Sequence, residues 1–332
     1  MTAPVSLAEP PLEEQFRLVA QTGQFDAFDR LPADGQVDRY LACIERHQLP
    51  VHTASWFYAL GGDEPLLPRK LALAAAVGAR LHNMMVYWHD ASGRPVSNDE
   101  VADFYLRAYD LAAPLGIEPL LELHVNMWSE DPRRVVPVAQ AVQRRGVPFN
   151  FTLDYSHCLF KMGNAQELAI CGLTDDVAAG RCVLDPFAPG NLVDEWLAMG
   201  IVRWLQVRTA VPNGPRNLWS VFDPGNAVAA LPAHSIFPYR AGEPGRGILY
   251  PFTEPAPGAW HSPWQAERLA GAREVVRKVL QHHHDTPGSR LAAITTEMIN
   301  LPDYAHNARF SLIGENAAIA QFVRETWAGL AA

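Results

Sequence analysis

Cysteine is scarce in this chain. Its four cysteines, Cys43, Cys158, Cys171 and Cys182, form no CxxC pair, so a disulfide framework is not expected. A basic block is missing too. Lys and Arg number 27 against 36 Asp and Glu, a formal net charge of -9, which argues against the Lys/Arg stripe of a nucleic-acid surface. No apolar run approaches the length that spans a membrane. The start, MTAPVSLAEPPLEE, has neither a charged n-region nor a long apolar h-region, so a signal peptide is not expected. These absences lead to the expectation of a soluble, cytoplasmic protein with no nucleic-acid or membrane partner. No GxGxxG or GxxxxGK[ST] follows any apolar run, which disfavours an open doubly wound nucleotide-binding sheet.

Apolar residues are plentiful. They make up 48% of 332 residues, enough for the core of one large α/β domain. Short apolar runs alternate with amphipathic segments along the chain. Eight runs read as strands: Val5–Leu7, Phe25–Asp29, Pro50–Trp56, Asn83–His89, the LLELH run from Pro119, the FNFTLDYSH run ending at His157, Ile201–Arg208 and Leu291–Ile299. Helical spacing fills most of the gaps, including Leu12–Thr22, Asp34–His47, Leu67–Leu81, Asp99–Ala113 with Ser97 or Asn98 as cap, Pro132–Arg145, Gln265–His283 and Glu315–Trp327. Strict β/α alternation requires a parallel sheet, and eight units in this length predict a (β/α)8 TIM barrel spanning residues 1–332 as one domain. One stretch breaks the rhythm. Residues 210–264, between strands seven and eight, are dense in Pro and Gly and read as a lid-like insertion or an arm for homo-oligomer contacts.

Barrel enzymes place their working residues at the C-terminal ends of strands. Those ends offer Asp29, His52, His89, Glu122, His124, Asp154, His157, Gln206, Arg208 and Glu297. Glu122 and His124 are two apart, so in a strand they face the same way, and Gln206 and Arg208 share parity likewise. Three carboxylates on three strands, Glu122, Asp154 and Glu297, suit Mg²⁺, Mn²⁺ or a similar divalent ion, which would relieve their mutual repulsion. His124, Asn126 and Trp128 continue the LLELH strand and are candidates to line a substrate pocket, although a packed Trp is the commoner role. His52 and His89 are strand-end imidazoles, His89 a further substrate contact or, with His52, a site for additional metals. Asn213 and Arg216 follow the Gln206 strand and read as a closing turn. His282–His284 read as a solvated helix cap, and Cys158, with no base partner, receives no role.

Four motifs in order carry a resemblance to a known group: LLELH, LDYSH with its D-x-x-H, a strand that usually bears a metal-binding His, and ITTEM. In these the chain resembles the xylose-isomerase-like barrel superfamily. That group holds sugar and sugar-phosphate isomerases and epimerases, inosose and 3-dehydroshikimate dehydratases, and endonuclease IV. The resemblance implies Glu122, Asp154 and Glu297 as ligands of one divalent ion, with His157 touching substrate or assisting the metal shell. It departs at Gln206, which stands where the usual ligand is His. A Gln carbonyl ligates a hard ion, so Mn, Mg or Co is favoured over Zn. Arg208 would hold an anionic substrate group by its planar fork, or pair with a barrel acid.

The expected function is therefore metal-dependent isomerisation or epimerisation of a small sugar-like hydroxy-carbonyl compound. Glu122 and Glu297 would exchange a proton beside the carbonyl through a metal-held enediolate. A lyase that dehydrates a polyhydroxylated cyclic ketone, with His157 as proton donor, is the near alternative. A metal-free barrel that only binds a ligand is the alternative of another class.

Overall fold

The computed structural model describes residues 9–222 and 243–330. Seven parallel strands run in chain order: β1 Phe28–Asp29, β2 Val51–Tyr58, β3 Leu81–Val86, β4 Glu118–Glu122, β5 Phe151–Leu153, β6 Val202–Val207 and β7 Ala293–Thr296. The principal helices are α1 Leu12–Gln21, α2 Val37–His47, α3 Leu66–Ala76, α4 Asn98–Ala112, α5 Val135–Gln143, α6 Ser156–Leu159, α7 Ala165–Ile170, α8 Thr174–Ala178, α9 Leu192–Ala198, α10 Ala270–Asp285 and α11 Leu312–Leu330. This is the expected TIM-barrel architecture, nearly closed. The expected first strand at Val5–Leu7 and the middle of the insertion, 223–242, lie outside the described residues. A cavity of about 710 Å³ separates β1 from β7, lined among others by Asp29, His52, Thr295, Arg324 and Trp327.

The parity of the strands produces two cores. Residues of one parity face the helices. Ala54 and Tyr58 of β2, Met84 and Val86 of β3 and Leu121 of β4 join one continuous cluster with Leu67 and Leu71 of α3 and Phe104 of α4. The other parity faces the barrel axis. Leu81, Leu120 and Trp204 plug the lower interior, and Trp204 Nε1 donates to Thr295 Oγ1 at 2.9 Å. The same parity one step further along gives Asn83, Glu122, Thr152 and Gln206, and then Met85, His124, Asp154 and Arg208. The barrel axis thus turns polar toward the C-terminal ends of the strands.

Local chemistry fixes the helices that aim those strands. Ser97 caps α4 reciprocally: its Oγ accepts from Glu100 N at 3.2 Å, and Glu100 Oε2 accepts from Ser97 N at 2.8 Å. The buried face of α4 includes Val101, Phe104 and Tyr105, and each such large side chain contributes about 1.5–3 kcal/mol on burial. Tyr105 also ties the helix to the sheet. Its hydroxyl stands 3.2 Å from Pro119 O and 3.0 Å from Pro148 O, and accepts from Asn150 N at 2.9 Å. That bond set clamps the starts of β4 and β5, the two strands that deliver Glu122 and Asp154.

Three boundaries differ from the sequence expectation. The helix expected over 67–81 ends at Ala76, because Gly78 at φ +90° breaks it before β3 begins at Leu81. The strand expected over 83–89 ends at Val86, since the next residues leave the sheet to bridge Met127 and Pro95. The LLELH strand stops at Glu122 and does not run on to Trp128; the chain turns at Asn126, whose φ is +64°. Beyond the sheet, the arm at 245–247 lies tight against its neighbours. A Cβ on Gly247 would stand 2.2 Å from Gly214 O, so backbone meets backbone there.

Candidate metal and proton-transfer site

Glu122 ends β4, Asp154 and Arg208 follow β5 and β6 by one residue, and Glu297 follows β7 by one. Each is therefore placed by a strand and released just above it. One oxygen from each of Glu122, Asp154 and Glu297 lies within 4.8 Å of the others. Glu122, His124 and His157 form a second, overlapping group of the same compactness. All of these but Glu297 are buried; the Glu297 side chain keeps 30% exposure.

Hydrogen bonds orient the acids. Glu122 accepts from Asn83 Nδ2 and, at 3.1 Å, from Gln206 Nε2. Gln206 Nε2 also donates to Glu297 Oε2 at 2.7 Å. Asp154 Oδ1 accepts from Ser156 Oγ at 2.5 Å and from Ser156 N at 3.1 Å. Its other oxygen stands 3.3 Å from His157 Nε2 and 3.2 Å from Arg208 Nη2, yet accepts no aligned hydrogen bond. Arg208 is also ion-paired with Glu297 and donates from Nε to Glu297 O at 3.1 Å. Its guanidinium carbon lies 4.1 Å over the Tyr304 ring.

The protonation states follow from burial and charge. Burial, then the neighbouring Asp154 carboxylate, pushes the Glu122 carboxyl up to about 8. Burial acts the same way on Asp154, but the Arg208 guanidinium and the His157 ring outweigh it and hold that carboxyl below its usual range. Burial lowers His157 to about 4 and takes His124 well below an ordinary imidazole. Both rings are neutral at pH 7. His124 Nδ1 donates to Val125 O at 2.6 Å, which leaves Nε2 as the acceptor for the Tyr304 hydroxyl at 3.2 Å. His157 Nδ1 lies 3.4 Å from the donor Val125 N, and its Nε2 lies 3.2 Å from Arg208 Nη1 and 3.3 Å from Asp154 Oδ2.

The structure therefore brings together Glu122, His124, Asp154, His157, Gln206, Arg208 and Glu297. Asn126 is buried beside them in sequence, with no partner for its Nδ2 among the described residues. Two expected substrate contacts lie elsewhere. Trp128 sits in the main core, 1% exposed, with the Arg134 guanidinium 5.9 Å over its ring. His89 packs edge-on against Trp88, beyond the end of β3. His52 lines the β1–β7 cavity. Asn213 N donates to Met162 O, and Arg216 donates to the backbone at Pro244, both within the outer loops. His283 and His284 bond Ser289 and Asp285 at the helix end.

Three contributors were not read from sequence. Asn83 had a signal, since it shares the inward parity of the apolar Leu81 and Met85. Tyr304, and a buried ionic network behind the site, had none. In that network Glu130 accepts from Lys161 Nζ at 3.0 Å, Arg246 Nη2 at 2.6 Å and Asn126 N at 2.5 Å. Burial would raise the Glu130 carboxyl, but Lys161 and Arg246 overcome it and hold it at about 2. The network fixes the left-handed turn at Asn126 and hence the exit of β4.

The donor chemistry suits a divalent cation. Three carboxylates converge, Asp154 Oδ2 lacks a hydrogen bond, and one guanidinium leaves the ionised cluster two charges short of neutrality.

No family model and no curated protein matches the sequence. Solved structures do. A xylose isomerase-like TIM barrel protein from Mycobacterium smegmatis in complex with magnesium is 13% identical, with a TM-score of 0.51 over 98% of this chain and 94% of that one. The IOLI protein with a bound zinc atom is 11% identical, with a TM-score of 0.50 over 97% of this chain and 93% of that one. At these identities the likeness establishes the fold: the chain is built like the xylose isomerase-like TIM barrels its motifs resemble.

Proposed function

We propose that the chain is a divalent-metal-dependent isomerase or epimerase of a small sugar-like hydroxy-carbonyl compound, working by removal and return of a proton beside the carbonyl. The observation that carries this reading is the meeting of Glu122, Asp154 and Glu297, three carboxylates from three strands, within 4.8 Å at the C-terminal end of the barrel. Two proteins of the same fold that hold magnesium and zinc lend support.

Glu122, Asp154 and Glu297 would hold the ion, with the Gln206 amide turned to present Oε1. The bound ion supplies Lewis-acid polarisation of the substrate carbonyl. An oxygen donor set favours Mn, Mg or Co over Zn. Glu122 and Glu297 are assigned to proton transfer, since each reaches the site from a separate strand. The value of about 8 for the Glu122 carboxyl belongs to the ion-free protein; a bound ion would keep it ionised, as a base that accepts a proton requires. The Asn126 amide and the His124 imidazole would meet substrate hydroxyls. Arg208 offers its fork to an anionic group. The same site would act as a dehydratase if His157 first took up a proton and then, as the imidazolium, passed it to a leaving hydroxyl.

The test is turnover of a panel of ketoses, aldoses and cyclic hydroxy-ketones by the Mn²⁺- or Mg²⁺-loaded protein in D₂O. The expected products are isomers carrying one deuterium at the exchanged carbon. A product lighter by one water, with enone absorbance, would replace the isomerase by the lyase. Protein that binds no divalent ion would overturn the metal-dependent reading.

A further inference from the structure

We propose that Arg208 is the chain's own stand-in for the divalent ion: its guanidinium occupies Asp154 and Glu297 in the ion-free protein and must withdraw from them for an ion to bind. The inference rests on the metal-dependent reading above. It assigns to Arg208 control over whether the site is loaded.

Arg208 Nη2 lies 3.2 Å from Asp154 Oδ2 and is paired with Glu297 Oε2. Those two residues supply two of the three acids of the oxygen triad. A divalent ion takes carboxylate oxygens at about 2.0–2.6 Å. An ion at the triad and the guanidinium would then share Asp154 and Glu297 as counter-charges at close range. Two cations cannot both hold them without strong repulsion in a dry interior. The Arg208 side chain is fully buried, so solvent does not screen this contest.

Arg208 makes two further contacts. Nε donates to the backbone oxygen of Glu297 at 3.1 Å, and the Tyr304 ring lies 4.1 Å beneath the guanidinium. Neither contact involves a carboxylate; the planar guanidinium moves as one unit, so withdrawing the Nη groups disturbs the Nε bond as well. Nη1 already stands 3.2 Å from His157 Nε2 and 3.5 Å from Ser156 Oγ, neither of them a carboxylate. Gln206 takes part in the same exchange. Its NH₂ faces Glu122 and Glu297 while the guanidinium is in place, and an ion would require its oxygen to face inward instead.

The experiment measures Mn²⁺ affinity by electron paramagnetic resonance at pH 8 for the wild-type full chain, Arg208→Gln and Arg208→Lys. It also follows the Arg208 15Nε resonance of the wild type during Mg²⁺ titration. Arg208→Gln is expected to bind Mn²⁺ at least tenfold more tightly than wild type. Arg208→Lys is expected to fall between them, because an ammonium keeps the charge but cannot span both acids. The wild-type 15Nε signal, identified by its loss in Arg208→Lys, is expected to shift with Mg²⁺ saturation. Wild-type protein that binds the ion while this resonance stays fixed would overturn the proposal, as would an Arg208→Gln variant that binds no more tightly. Absence of Mn²⁺ and Mg²⁺ binding in wild type and variants alike would instead remove the metal-dependent reading. If Arg208→Gln fails to fold, the wild-type titration and Arg208→Lys decide.

Discussion

Arg208 and Asp154 face each other 3.2 Å apart, with both side chains fully withdrawn from water. A buried pair of this kind adds little net stability over an apolar pair, but breaking it leaves a charge stranded. Asp154→Ala is therefore expected to cost about 3–5 kcal/mol, read from urea unfolding of the ion-free protein. A cost below about 1 kcal/mol, the range of an exposed pair, would mean that water reaches Arg208 or that its pair with Glu297 suffices.

Glu297 differs from its partners in keeping 30% exposure, so its loss leaves less uncompensated burial. Glu297→Gln preserves the shape and retains a hydrogen-bonding amide. We expect the variant to fold with an unchanged circular dichroism spectrum and to lose about 10²–10⁴-fold in turnover, the range for a missing general base. Full activity would place the proton-transfer group elsewhere.

Stability of the ion-free protein should depend on pH in a way that isolates Glu122. Its carboxyl rises from 4.5 to about 8 on folding, so the folded state keeps a proton that the unfolded chain has released. This contribution is present at low pH and is lost as pH rises toward 8. His157 falls from 6.5 to about 4, and its contribution runs the other way, growing as pH rises through that window. The two oppose each other below pH 6.5. His82, His124 and His261 are lowered by burial too and oppose the Glu122 slope for some way above pH 6.5, so Glu122 is read from a difference. In chelator the melting temperature of wild type should fall relative to that of Glu122→Gln as pH rises from 6.5 to 8. Parallel profiles for the two proteins would show that Glu122 is ionised without the metal.

Ion binding requires Glu122 to be ionised, so loading the site should release a proton below pH 8. Calorimetry of Mn²⁺ binding at pH 7 in buffers of different ionisation enthalpy should report release of about one proton. A binding enthalpy that does not vary with buffer would contradict this.

Tyr105 tests how the scaffold aims the site. Removing its hydroxyl leaves Asn150 N without its partner at a buried position. Tyr105→Phe is expected to cost about 1–3 kcal/mol in thermal unfolding, with no direct change to any acid of the cluster.

The acids were legible in sequence because a strand that ends on a carboxylate after an apolar run announces both its face and its direction. Glu122, Asp154 and Glu297 were readable in this way, and parity alone placed Gln206 beside Arg208. Parity misled where the strand was taken as too long. Trp128 was counted along a strand that had already ended six residues earlier, at Glu122, and His89 along one that ended at Val86. Tyr304 and the Glu130–Lys161–Arg246 network were not legible at all. Their members come from separate loops and meet only after the barrel has folded.

The shared parity of Gln206 and Arg208 also limits how this site can vary. A one-residue insertion or deletion early in β6 would turn Leu205 and Val207 inward and send both polar groups into the helix-facing core. The site cannot lose its glutamine by a shift of register and still keep its arginine. A change confined to one of the two polar groups therefore has to come by substitution at 206 or at 208, never by a slip of the strand.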